Sequence, residues 1–215
     1  MTSYFLDLPT ININAQDSTG DTPLHVAIQL RHYRIVPLLL KHGATVNIAN
    51  NRNRTPLHVA SDNSMLNECR LIIAHGAQMH KEDAYGETPL SIAVLKRKCY
   101  SVANLLLRSG TYVNMFNTTG FTLLGEAVLH ATLDNDLRVI EYLIKNGAVI
   151  NVGDTIGKRT PLHLTAISNN VNVAKFLLEN GADPTILNRE RQLPRTTALL
   201  HSNFEVVDLL EGYEI

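Results

Sequence analysis

Thr22-Pro23-Leu24-His25 recurs as Thr55-Pro56-Leu57-His58, as Thr88-Pro89-Leu90-Ser91 and as Thr160-Pro161-Leu162-His163. Weaker copies, Thr122-Leu123-Leu124-Gly125 and Leu193-Pro194-Arg195-Thr196, fill the remaining slots, so the starts step by 33, 33, 34, 38 and 33 residues. A second marker keeps the same beat: Gly43-Ala44, Gly76-Ala77, Gly110-Thr111, Gly147-Ala148 and Gly181-Ala182. Two independent markers in one register exclude an ordinary globular core. A unit this short cannot bury its own apolar face, so successive units must stack and share one core.

Each marker has a physical task. The Thr hydroxyl can accept from an orphan N–H of a helix's first turn, which makes it a good N-cap. Pro at the next position has a preset φ and lacks an N–H that would go unpaired there. The Leu that follows and the Ala four residues after Pro face inward. Ile35-Val36-Pro37-Leu38-Leu39-Leu40 reads as a second helix, and Gly43 stands where a helix takes a left-handed residue at its end. Val46 to Arg54 then forms an extended finger leading to the next Thr.

The period and the Thr-Pro-Leu-His-x-Ala string resemble the ankyrin-repeat superfamily across residues 11–211. The resemblance implies an all-α solenoid of stacked helix–turn–helix units joined by β-hairpin fingers, and protein–protein recognition by fingertips and inner-helix residues. In this reading residues 1–10 are a lead-in and N-terminal cap. Residues 11–195 hold repeats one to five and the start of the sixth, and residues 196–215 complete a degenerate sixth repeat acting as C-terminal cap. There Arg195 and Glu211 stand at core Leu positions, and Glu205, Asp208, Glu211 and Glu214 form an acidic skin, as a terminal unit needs a polar outer face. The six-repeat stack with an acidic end also resembles the IκB-type inhibitors in architecture.

Net charge is −1, without the basic excess that displaces counterions from nucleic acid, so no nucleic-acid partner is expected. Charge alternates locally: Arg31 to Arg54 holds five bases and no acid, and Asp62 to Glu87 five acids against two bases. Two cysteines give no disulfide framework and suit a reducing compartment, and no apolar run is long enough for a membrane span. The expected address is cytoplasm or nucleus, the chain monomeric on its own and without cofactor.

No catalytic motif is present, and the chain reads as a non-enzyme. His25, His58 and His163 sit about 10 Å apart from repeat to repeat, too far to converge on a zinc ion needing ligands at about 2 Å; they read as ties between repeats. Asp134 and Asp136 in the long fourth repeat lack the glycine and carboxylate of a calcium loop, and the extra residues within Ala131–Leu137 read as a lengthened, solvated turn. Glu68 falls in a core column, so its helix is expected to rotate or fray and expose it. Cys69 aligns with a core face. Cys99, beside Lys96, Arg97 and Lys98, is the one candidate nucleophile and the basis of a rival enzyme reading.

Columns that neither cap nor pack define the expected binding face: Arg52 and Arg54 in repeat two, Tyr85, Leu95 and Lys96 in repeat three, Phe121, Leu129 and His130 in repeat four, and Arg159 in repeat five. An aromatic–aliphatic anchor rimmed by cations is the composition of an interface hot spot and suits an acidic-rimmed, apolar knob of a partner. Leu95 and Leu129 could instead turn inward, whereas Tyr85 and Phe121 are expected to be exposed as fingertips. Within the superfamily, Asn47, Asn114 and Asn151, each after an aliphatic residue and with Leu eight positions earlier, resemble sites of asparagine β-hydroxylation. The alternative is that they bond the hairpin backbone, as Asn does in turns.

Overall fold

The structure, a computed structural model, describes residues 11–134 and 136–213. The chain divides into two compact units at Thr111/Tyr112, each built of helix pairs. Unit 1 holds α1 (Pro23–Gln29) and α2 (Ile35–Lys41), then α3 (Pro56–Asp62) and α4 (Leu66–Ala74). Its third pair is α5 (Pro89–Ser91), which continues as a π-helix over Ile92–Lys96, and α6 (Tyr100–Arg108). Unit 2 holds α7 (Leu123–Asp134) and α8 (Leu137–Lys145), α9 (Pro161–Ser168) and α10 (Val171–Glu179), and α11 (Pro194–Leu200) and α12 (Phe204–Glu211). The residue 1–10 cap lies outside the described residues.

The recurring Leu of the motif is fully buried wherever it opens a regular pair, as Leu24, Leu57 and Leu162. Thr22, Thr55 and Thr160 form capping boxes with the His three residues on. In each, the Thr N–H donates to His Nδ1, at 3.2, 3.1 and 3.2 Å. The other ring nitrogen faces a backbone carbonyl of the next repeat: His25 Nε2 to Arg54 O at 3.0 Å, His58 Nε2 to Lys81 O at 2.9 Å and His163 Nε2 to Gln192 O at 3.0 Å. A carbonyl only accepts, so Nε2 carries the proton and Nδ1 is the acceptor. Burial lowers all three imidazole pKa values, that of His58 to about 4, and keeps the rings neutral.

The turns inside the pairs are strained in a shared way. Arg31, Ser64, Lys98, Asn169 and Ser202 occupy the same register position, all with φ between 49° and 58°. An L side chain in that left-handed well costs about 1–2 kcal/mol, from which the unfolded-state entropy of glycine must be subtracted. Ser202→Gly, at an exposed turn, is expected to stabilise unit 2 by about 0.5–1 kcal/mol. The midpoint of urea unfolding checks this; an unchanged or lower midpoint contradicts it.

Two expectations are corrected. The extra residues of the fourth repeat extend helix α7, which runs for 12 residues against 7 in α1 and α3, so they add helix and not a loosened turn. Asp136 is committed as N-cap of α8: its Oδ1 accepts from the Arg138 N–H at 3.1 Å and from the Arg138 guanidinium at 2.8 Å. Glu68 is 5% exposed in an unfrayed helix. It sits in the first turn of α4, where free N–H groups and the helix dipole favour a carboxylate, so burial there needs no rotation.

Candidate protein-interaction face

The fingers are hairpin turns held by a repeated Asx device. Asp17, Asn50, Asp83, Asn117, Asp154 and Asn188 each donate a backbone N–H to the carbonyl four or five residues on, at 2.9–3.0 Å. Their side-chain oxygens accept from N–H groups on the same finger. Adjacent fingers are laced by single backbone bonds: Asn51 N–H to Thr19 O at 3.0 Å and Ala84 N–H to Arg52 O at 2.8 Å in unit 1, Thr155 N–H to Gly120 O at 3.0 Å and Arg189 N–H to Gly157 O at 2.7 Å in unit 2. Gly20 shows why one tip needs glycine: it has φ 78°, and a Cβ there would stand 2.7 Å from the Asn51 backbone nitrogen.

At the finger bases, Asn47, Asn114 and Asn151 bridge to the following repeat. Their Nδ2 groups donate to Gly76 O, Gly147 O and Gly181 O at 2.9, 2.9 and 3.1 Å. Their Oδ1 atoms accept from the N–H groups of Gln78, Val149 and Asp183 at 2.8, 2.9 and 2.9 Å. The asparagines thus satisfy a helix-end carbonyl and a free N–H at once, which is the backbone-bonding alternative extended across the repeat joint.

Between finger and inner helix each unit carries a groove. In unit 1, one of about 490 Å³ is lined by Ser18, Thr19, Gln29, Asn51 and Asp62 together with Arg52 and Arg54 of the expected face, among others. Its charges are largely satisfied internally. Arg54 donates to Asp62 Oδ2 at 2.9 Å and lies 3.5 Å from buried Asp83, and Arg97 donates to Asp62 Oδ1 at 2.5 Å. Burial alone would raise the Asp62 carboxyl; the Arg97 and Arg54 guanidiniums outweigh it and hold it below the usual carboxylate range. Arg54 is therefore a half-buried strut. Arg52 is exposed. Lys96 makes an exposed pair with Glu87 at 3.1 Å, worth about 0–1 kcal/mol and readily exchanged for a partner's carboxylate.

Tyr85 is 72% exposed, and its N–H is pinned to Asp83 Oδ1 at 2.8 Å. Leu95 is half-buried in the π-helix. In unit 2, Leu129 is 37% exposed and His130 is exposed. Phe121 departs from its expectation. It is half-buried, its ring lies beside Gly125, which replaces the motif His, and the Arg159 guanidinium sits 6.0 Å from the ring centroid. Arg159 in turn donates to buried Asp154 at 2.7 Å, so both residues are part of the scaffold beneath the face.

The cysteines separate as their settings dictate. Burial pushes the Cys69 thiol up to about 12 and keeps it inert. Burial also opposes ionisation of Cys99, but the Ser101 hydroxyl and the Val102 N–H outweigh it, so its pKa is lowered. The flanking lysines are not the cause. Its side-chain partners are the Ser101 and Ser64 hydroxyls, which cannot serve as a general base. Among the described residues, no helix is long and apolar enough to cross a membrane.

Comparison with known proteins places this geometry. The profile described as "Ankyrin repeats (3 copies)" matches residues 46–117 and 124–215, and that described as "Ankyrin repeats (many copies)" matches 8–60. Human Rabankyrin-5 is 28% identical over 120 residues, 51% of this chain and 10% of that protein. The I-Kappa-B like protein C2 of Microplitis demolitor bracovirus is 33% identical over 91 residues, 40% of this chain and 50% of its own length. The chain therefore spans about a tenth of the first of these relatives and about half of the second. The crystal structure of the ankyrin repeat domain of Bcl-3 superposes on 98% of this chain and 91% of its own with a TM-score of 0.83 at 23% identity, a likeness of fold.

Proposed function

Because the chain belongs to the ankyrin-repeat family, a family of protein-interaction modules, we propose that it holds a protein partner on its fingertips and inner-helix residues. The observation that carries this reading is Tyr85, an aromatic ring 72% exposed on a finger that its own Asp83 fixes in place. A rigid exposed aromatic loses little entropy on binding and has a large area to bury, which is why such residues dominate interface energies. Arg52, Lys96, Leu95, Leu129 and His130 form the wider face. Arg54, Phe121 and Arg159 support it from beneath. Asn47, Asn114 and Asn151 are proposed acceptors of a β-hydroxyl, which would leave both amide hydrogen bonds in place and register as a mass gain of one oxygen.

Within this reading the chain acts as an adaptor, scaffold or inhibitor. The stretch similar to the I-Kappa-B like protein C2 favours the inhibitor, masking a transcription factor or another signalling protein. Tyr85→Ala is expected to leave the melting temperature within about 2 °C, as an exposed side chain with no core to vacate. Partner capture in a pull-down read by mass spectrometry should fall at least about tenfold, the effect of a hot-spot truncation. Phe121→Ala should weaken capture and also lower the melting temperature. Undiminished capture by Tyr85→Ala sinks the proposed face.

A further inference from the structure

The groove of unit 2 differs in chemistry from that of unit 1. It encloses about 440 Å³ between the fifth and sixth repeats, and Ile156 and Ile167 give it an apolar floor. Ile156 is 59% exposed and Ile167 half-buried, so the floor faces water. Gln192, Thr197 and His201 add polar groups to its walls. Arg189 lines the groove, Arg191 follows two residues on in the same finger and Lys158 stands next to Gly157 in the preceding finger, all three exposed. Among the described residues none of the three is in an ion pair. Acidic groups nearby are Glu190, exposed on the same finger, and Asp154, buried and paired with Arg159. The rim is therefore cationic on balance. It is also built in place: Arg189 N–H is bonded to Gly157 O at 2.7 Å, its guanidinium to Thr155 O at 3.3 Å, and Lys158 and Arg191 hold left-handed backbone at φ 54° and 59°.

We infer that this groove binds an extended acidic segment of a partner protein, with one aliphatic side chain on Ile156 and Ile167 and flanking carboxylates on Lys158, Arg189 and Arg191. The inference rests on the protein-binding reading and assigns a partner chemistry to one groove. An apolar floor flanked by fingertip cations outside any ion pair matches a peptide that alternates the two characters. Gln192 and His201 can meet peptide N–H and C=O groups. A nucleic acid would use the cations and leave the isoleucines against polar sugar, and three cations are too few for a phosphate track.

The test is fluorescence anisotropy of the full chain with a fluorescein-labelled ten-residue peptide, a central leucine flanked by glutamates and aspartates. Saturable binding is expected, weakened about tenfold by Arg189→Glu combined with Arg191→Glu and about threefold or more by Ile156→Ser. A peptide with serine for leucine, or lysines for the acids, should bind at least about tenfold more weakly. Tyr85→Ala should bind the labelled peptide as the wild type does, so failure of the Tyr85 face and failure of this groove are read separately. All substituted side chains here are exposed, and unchanged melting temperatures confirm the fold. Absence of saturable binding, binding indifferent to the charge reversals, or a single-stranded oligonucleotide that competes with equal affinity would each overturn the assignment.

Discussion

Leu90→Ala is expected to destabilise unit 1 by about 2–5 kcal/mol, the range for truncating a buried leucine. Leu90 is 2% exposed and enters the core from the short α5 turn. Relaxation around it is limited because the π-helix behind it carries buried Ile92, Ala93 and Val94. In a domain of this size such a loss lowers the melting temperature by at least about 8 °C. Leu200→Ala, on a leucine 64% exposed at the far end of the chain, is the contrast and should shift stability by less than about 0.5 kcal/mol. Urea unfolding followed by circular dichroism reads both. A loss below about 1 kcal/mol at Leu90 would mean that the third pair contributes little to the unit's core.

Acidification should destabilise the chain well above the range where carboxylates protonate. His25, His58 and His163 are kept neutral by burial, with pKa values below the ordinary histidine value, that of His58 at about 4. In the unfolded chain the same residues titrate near pH 6.5. Below that pH the unfolded state binds more protons than the native state, so stability falls as pH falls. The contribution is complete above about pH 6.5 and is lost progressively toward pH 4, where His58 titrates in the folded protein as well. For His58 alone the loss is on the order of 3 kcal/mol. Protonation also places a second N–H on Nδ1, facing the Thr55 N–H that now donates to it. His58→Gln should be less stable at pH 7 and show a flatter dependence between pH 7 and 4.5. A wild-type stability that is level from pH 7 to 5 would refute the neutral-histidine account.

The repeat boundaries and the Thr N-caps were legible in the sequence because each is written by close neighbours: Thr and Pro at a helix start, Gly at a helix end; the bond from the Thr N–H back to the His ring was not read there. Nor was the π-helix. It arises where Arg97 N–H reaches Ile92 O at 3.0 Å, a fifth-neighbour bond that leaves no trace in composition. The longer α7 did leave one, since Leu124, Ala127, Val128 and Ala131 continue at helical spacing and no Gly or Pro follows Gly125 before Leu137. At the candidate site, Tyr85 was readable because a finger tip has nothing to pack on. Arg54 and Phe121 were not: their partners Asp62, Asp83 and Arg159 come from other fingers and helices. Which of two equally spaced columns is free is decided by those partners.

The joint made by each motif histidine has an asymmetry with a consequence for how such a chain can change. His25, His58 and His163 reach backbone carbonyls of Arg54, Lys81 and Gln192, residues with three different side chains. One side of the joint is therefore specified by its residue type, and the other demands only a peptide bond in the right place. Whereas side-chain ties such as Arg54 to Asp83 and Arg97 to Asp62 have to change together, as far as this joint is concerned a unit can be exchanged without a matched change in its neighbour. The interlock between repeats is thus insulated from the residues that choose a partner, and recognition can diversify on this scaffold one finger at a time.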